Sequence, residues 1–182
     1  LISRLKKYTH TTRTDILVGL PGESFDSHLR SLNTALAYGI NDILGGEVHL
    51  LPGSEMNTKE SREKFGLKTK YRFMEGASGV YKGETVFEIQ EVIRATNDMT
   101  EPEMIRLRAL RALFFGGLTL GDHRPLVPYL INKGGQLTDL YRNLILKGPI
   151  HPVLRKTFEW LEDQISSEWF ESVEEAVLYL KD

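Results

Sequence analysis

Residues 14–51 read as strand, glycine-bearing turn, amphipathic helix and strand, and this order constrains the fold more than any other feature of the chain. Thr14-Asp15-Ile16-Leu17-Val18 is an apolar, β-branched run that enters the turn Gly19-Leu20-Pro21-Gly22-Glu23-Ser24. Helical periodicity follows at once. Phe25, Leu29, Leu32 and Leu36 recur every three or four residues, Ser24 stands where an N-cap belongs, Asp26 falls in the first turn and Gly39 stops the pattern. Ile40–Leu51 then alternates, with Leu44, Gly46, Val48 and Leu50 on one face and Ile43, Gly45, Glu47, His49 and Leu51 on the other. Two strands joined through a helix by short connections are parallel neighbours, so an α/β fold is expected, with the turns at 19–24 and 51–55 on one rim.

Past Leu51, Ser54 can cap a short helix to Phe65 that Gly66 stops, and Lys68–Glu75 reads as a third extended segment. Gly76–Gly83 (GASGVYKG) is expected to be a loop because of its glycines. From Glu84 the pattern is read as helical, with Val86, Phe87, Ile89 and Ile93 marking a helix that ends near Asn97. Thr100-Glu101-Pro102-Glu103 is a capping box with proline in the first turn, opening a helix through Met104, Leu107, Leu110, Leu113 and Phe114. Gly116-Gly117 is expected to break that helix, and others are predicted around 124–133, 136–147, 152–170 and 172–181. The expected organisation is an α/β part over 1–83 and an all-helical part over 84–182. Two or three strands leave a parallel sheet with open edges. Leu1, Ile2, Leu5 and Tyr8 sit at helical spacing, as the tail of a helix already under way. Both features lead us to expect a piece of a longer protein.

With 182 residues, 41% hydrophobic, and a net charge of -2, the chain can bury one sizeable core and lacks the charge excess of a general nucleic-acid binder. No run is long and apolar enough to span a membrane and no secretory leader is read, so a cytoplasmic location is expected. There is no cysteine, which excludes disulfides, thiolate metal sites and thiol nucleophiles within this sequence.

The turn 19–24 has two readings. Gly19 and Gly22 permit close backbone approach to a ligand, and a helix N-terminus follows; equally, any strand-to-helix join needs such residues. The lysine and longer spacer of a P-loop are absent. Glu47 and His49 share a strand face, and a carboxylate and an imidazole placed so can act as an acid/base pair or contact a ligand. They are the catalytic candidates. Arg72 and Tyr81, flanking the glycine-rich stretch, are candidate substrate contacts. Capping accounts for Glu23 and Ser24. Trp160, Trp169 and Phe170 read as core or docking residues, and His123 and His151 have no second ligand at metal spacing, so no metal site is read.

Taken together, TDILVGLPGES, LLPGSEM, YRFMEG and ETVFEIQEVIRATNDMTEPEM resemble the C-terminal part of a radical S-adenosylmethionine (SAM) protein, of the group with an N-terminal cobalamin-binding domain. The resemblance covers roughly residues 10–145. It implies a partial (β/α)6 barrel with 14–18 as fifth strand and 43–51 as sixth, followed by an all-helical C-terminal extension. It implies SAM, a [4Fe-4S] cluster and cobalamin as cofactors, and a small-molecule substrate. It sets Leu17, Val18, Gly19, Leu20, Pro21 and Gly22 against the adenosine side of SAM. The family holds its cluster with three cysteines spaced CxxxCxxC, and this sequence has none. The resemblance therefore implies that the cluster ligands lie in a missing N-terminal part of the same protein and that this chain alone is inactive. A second reading stays open: a non-catalytic α/β plus helical module that binds a ligand or partner.

Overall fold

The computed structural model describes residues 2–5, 7–9, 11–121, 123–146 and 152–180, and the chain is a mixed α/β protein. Leu1 and His151, both weighed above, lie outside the described residues. A short helix α1 (Ile2–Leu5) precedes β1 (Arg13–Asp15), α2 (Phe25–Ala37) and β2 (Asp42–Leu44). β1 and β2 are parallel, in the register Arg13–Asp42, Thr14–Ile43, Asp15–Leu44, and a parallel bridge between Val18 and Glu47 carries the pairing onward. Both turns, 19–24 and 51–55, thus follow the carboxyl ends of parallel segments. Ser24 caps α2 as expected, closing a capping box with Ser27, and Leu29, Leu32 and Leu36 are buried. Gly45 has φ +134° and lies so close to β1 that a Cβ would fall 2.1 Å from the Ile16 carbonyl oxygen, so only glycine fits there.

α3 (Lys59–Phe65) is capped by Thr58 and stopped by Gly66 in the left-handed conformation. The structure then departs from the sequence expectation. Residues 84–97 do not begin a helix: β3 (Lys68–Tyr81) and β4 (Glu84–Ala95) form one long antiparallel hairpin. GASGVYKG is not a loop but part of this arm, whose register breaks between Phe73 and Ser78. Lys82 and Gly83 turn the chain with φ of +51° and +85°, the two-positive-φ geometry of a tight hairpin turn. The physical reason lies in Thr85, Val86, Ile89, Val92 and Ile93, β-branched side chains that favour a pleated strand although 86, 89 and 93 also satisfy helical spacing. The boundary expected at 83/84 falls in this turn, between strands paired on both sides of it. β4 also pairs antiparallel with the extension of β2, through a bridge at His49 and Val92 and bonds from Leu50 N–H to Glu91 O (2.9 Å) and Ile93 N–H to Val48 O (3.0 Å).

The helices after β4 fall close to their expected places: α4 (Glu101–Phe114), α5 (Leu126–Asn132), α6 (Leu137–Leu146), α7 (Pro152–Ser167) and α8 (Val173–Tyr179). Glu103 accepts from Thr100 N–H (2.8 Å) and hydroxyl (2.7 Å) at the start of α4. Gly116-Gly117 does not break that helix; the chain continues as a π-turn over Phe115–Thr119. Gly117 is there for close approach, since a Cβ would meet the Tyr141 hydroxyl at 2.3 Å. One apolar core joins Val18, Val48, Leu50 and Ile93 to Leu29, Leu32 and Leu36 of α2 and to Met104, Leu107, Leu110 and Phe114 of α4. Burial of this set is the main stabilising term of the fold.

Candidate functional site

Glu47 is a charged residue in an apolar strand, and it is buried. A carboxylate there needs partners. β4, set beside the extension of β2, supplies Arg94, also buried, whose Nη1 lies 2.9 Å from Glu47 Oε1. β3 supplies Arg72, with Nη1 3.2 Å from Glu47 Oε2, and α4 supplies Arg108, with Nε 3.6 Å from Oε1. Three guanidinium groups therefore converge on one carboxylate. Arg94 Nε also reaches Glu101 Oε1 at 3.2 Å, while its buried Nη2 has no hydrogen-bond partner among the described residues. Arg111 stands one turn along α4 from Arg108, half-buried, within the fields of Glu47, Arg108 and Arg72; burial holds its pKa below the usual guanidinium value. Among the described residues Arg111 has no ion-pair or hydrogen-bond partner.

The segment after α7 closes one side. Tyr71 and Phe170 exchange both backbone hydrogen bonds (2.9 and 2.8 Å), an isolated antiparallel bridge that holds the turn after α7 against β3. Trp169 lies against the guanidinium groups of Arg94 (4.1 Å), Arg72 (4.8 Å) and Arg108 (5.9 Å from the ring centroid), a cation–π arrangement. Its indole N–H donates to Ile165 O at 2.6 Å. Glu168 accepts from Arg72 Nη1 at 3.0 Å and from Arg108 Nη1. Lys70 sits beside the cluster, held between Glu171 (3.0 Å) and Glu101 (3.6 Å).

Of the residues singled out in the sequence, Glu47, His49 and Arg72 come together. With its amide oxygen facing Arg72, Gln90 accepts from Arg72 Nε (2.6 Å) and donates to His49 Nδ1 (3.2 Å). Glu47 and His49 are not a directly bonded acid/base pair: Glu47 is taken by arginines and His49 by Gln90. Burial lowers the His49 pKa, and Arg72 lowers it further against the opposing pull of Glu47, so the imidazole is held toward its neutral form. His49 also borders an open cleft of about 350 Å³ shared with Pro52, Tyr71 and Met74. Tyr81 is not part of this site. It is exposed at the turn of the hairpin, nine residues along β3 from Arg72, about 30 Å at strand rise, with Lys82 over its ring.

In the turn after β1, Val18 and Gly19 are buried, Leu17, Leu20 and Gly22 are exposed and Pro21 is half-buried. A Cβ on Gly19 would press on Met104 (3.3 Å), and Gly22 N–H donates to Asp98 at 3.2 Å. Packing against α4 and the 96–100 loop accounts for both glycines. Glu23 is not a helix cap: its Oε1 lies 3.0 Å from Nδ1 of buried His28. The 51–55 turn is tied by Asn57, which donates to Leu51 O (3.2 Å) and receives Arg62 Nη2 (2.6 Å). His123 shares a 2.6 Å hydrogen bond with Tyr141, whose hydroxyl burial pushes up to about 12. Among the described residues no cluster of His, Asp or Glu could hold a metal ion, and no helix is long and apolar enough to cross a membrane.

Arg94, Arg108, Arg111, Glu168 and Trp169 are the site residues that sequence reasoning missed. A signal for Arg94 was present: an arginine inside Val92-Ile93-Arg94-Ala95 shares the predicament of Glu47, and once the segment is read as a strand the two are natural partners. The cluster can hold and orient an anionic or hydrogen-bonding group, with an aromatic face beside it. No protein-family model and no curated protein matches the chain.

Proposed function

We propose that this chain forms one wall of the barrel of a cytoplasmic radical SAM enzyme of the cobalamin-binding group, acting on a small-molecule substrate. The observation that carries the reading is the parallel β1–α2–β2 unit, with Glu47, His49 and Arg72 gathered where its strands end. In barrels of parallel strands, ligands are bound at that end. Among the described residues β1 pairs only with β2, and its other edge is where further strands of a partial (β/α)6 barrel would pair.

The residues present fit the proposed cofactors unequally. Leu17 and Leu20 offer exposed apolar surface beside the strand end, suited to the face of an adenine. The sequence contains no thiolate, so it does not hold a [4Fe-4S] cluster, and no chemical step is assigned through one; its ligands, and the cobalamin domain, belong to the N-terminal part of the same protein in this reading. What the chain contributes is its own: Glu47 pinned by arginines and a His49 held toward its neutral form and oriented by Gln90, both near the strand end.

The test uses the full gene product with its upstream coding sequence, purified without oxygen and reconstituted with iron and sulfide. The expected result is the broad visible absorbance of a [4Fe-4S] cluster and release of 5′-deoxyadenosine from SAM on reduction, with SAM affinity lowered by Leu17→Asp. A full gene product that forms no cluster overturns the reading in favour of a non-catalytic binding module.

A further inference from the structure

The arginines around Glu47 are more numerous than its carboxylate requires. With Lys70 balanced by Glu171, four guanidinium groups (Arg72, Arg94, Arg108, Arg111) face Glu47, Glu101 and Glu168. Glu47 and Glu101 are fixed among them. Glu168 is different. It follows α7, its side chain is 36% exposed, and among the described residues it bonds only to Arg72 and Arg108, both partly exposed. The backbone beside it is held by the Tyr71–Phe170 bridge and by the Trp169 indole, so the carboxylate can swing out by side-chain rotation alone. Its departure would leave an excess of two positive charges. Among the described residues two donors already lack an acceptor: buried Nη2 of Arg94 and the Arg111 guanidinium. A buried or half-buried guanidinium N–H without an acceptor is costly, and an oxyanion relieves that cost.

The geometry points to a binding site for a phosphate-ester dianion, made by Arg72, Arg108 and Arg111 against the face of Trp169, with the Glu168 carboxylate as an internal stand-in that the ligand displaces. The inference rests on these side chains alone and does not depend on the barrel reading. Planar guanidinium groups suit phosphate oxygens in bidentate pairs, and two excess charges favour a dianion over a monoanion such as acetate.

Trp160 and Trp169 are the two tryptophans of the sequence, and Trp160 is 61% exposed, so Trp160→Phe leaves Trp169 as a fluorescent reporter inside the site. The protein in that background is titrated with inorganic phosphate and, separately, with acetate, at ionic strength fixed with potassium chloride. We expect a saturable change with phosphate and none with acetate. Glu168→Gln should tighten phosphate binding about threefold or more by removing the competing carboxylate. Arg111→Gln should weaken it about tenfold or more, while leaving the circular dichroism spectrum and melting temperature unchanged or raised, since no ion pair is lost. If Arg111→Gln does not fold, Arg111→Ala serves as the second truncation. Equal responses to phosphate and acetate, no saturable response in the Glu168→Gln protein, or undiminished binding in the folded Arg111 variant would each overturn the proposal.

Discussion

Asp42 and Glu47 lie five residues apart on the same extended segment, and both are buried carboxylates, yet their surroundings differ in kind. At the amino end Asp42 meets one arginine: Arg13 Nε and Nη2 both stand 2.9 Å from Oδ2, and the Thr119 hydroxyl donates to Oδ1. Donors and acceptors match, Arg13 is largely in solvent, and the pair ties β1 to β2 across the register. At the carboxyl end Glu47 meets three arginines, one of them wholly buried, with a fourth nearby and an aromatic ring across them. The first arrangement is complete in itself. The second carries surplus positive charge that folding alone does not require, and it sits where parallel strands end.

The largest expected effect comes from breaking the crowded end. Glu47→Gln leaves Arg94 without its buried counter-charge and should cost about 3–5 kcal/mol, seen as a lower denaturant midpoint. A loss under about 1 kcal/mol would mean that Arg94 finds another partner and the cluster is not built around Glu47.

Asp42→Asn should cost less, about 1–2 kcal/mol, because the contacts it weakens are to a single, largely solvated arginine. Its signature is pH dependence. Burial pushes the Asp42 pKa up, but the hydrogen bonds from Thr119 and Arg13 outweigh it and hold the carboxyl below the ordinary aspartate value. In the window below about pH 4 the unfolded chain then binds more protons than the folded one, so the contribution of Asp42 is full above that window and is lost as pH falls through the folded pKa. Wild type and Asp42→Asn should therefore converge in stability on acidification; a gap that stays constant would contradict the ion pair.

The smallest effect is the sharpest probe of local field. His49 should titrate by NMR below the ordinary imidazole value, rise toward it in Arg72→Gln, and stay charged over less of the acid range than a solvent-exposed histidine. Its neutral form is favoured by folding, so stability contributed through His49 should fall as pH drops through the unfolded pKa near 6.5. A His49 pKa unchanged by Arg72→Gln would place the arginine elsewhere.

How far the sequence foretold this molecule follows from the range of the forces involved. The β1–α2–β2 unit was legible because cap, periodicity and alternation are local, and Ser24, Leu29, Leu32 and Leu36 each do in the structure what their spacing implies. The hairpin was not, because Val86, Ile89 and Ile93 serve helical and strand spacing alike, and the deciding residues were the modest Lys82-Gly83 turn and a density of β-branched side chains. Glu47 and His49 were legible as polar groups on an apolar strand, and Arg72 was singled out only as a neighbour of the glycine-rich stretch. Their partners were not: Arg108 and Arg111 look like ordinary polar positions of a surface helix, and Glu168-Trp169 reaches the site only because the chain end returns to pair with β3. Tyr81 failed as a candidate because strand extension carries it away from the residues it neighbours in sequence.

The contrast between the two ends is tested most directly by thermal unfolding with and without inorganic phosphate at constant ionic strength, in wild type, Asp42→Asn and Arg111→Gln. Phosphate should raise the melting temperature of wild type and Asp42→Asn by the same increment and that of Arg111→Gln by a clearly smaller one. An equal rise in all three proteins, or none in any, would contradict it.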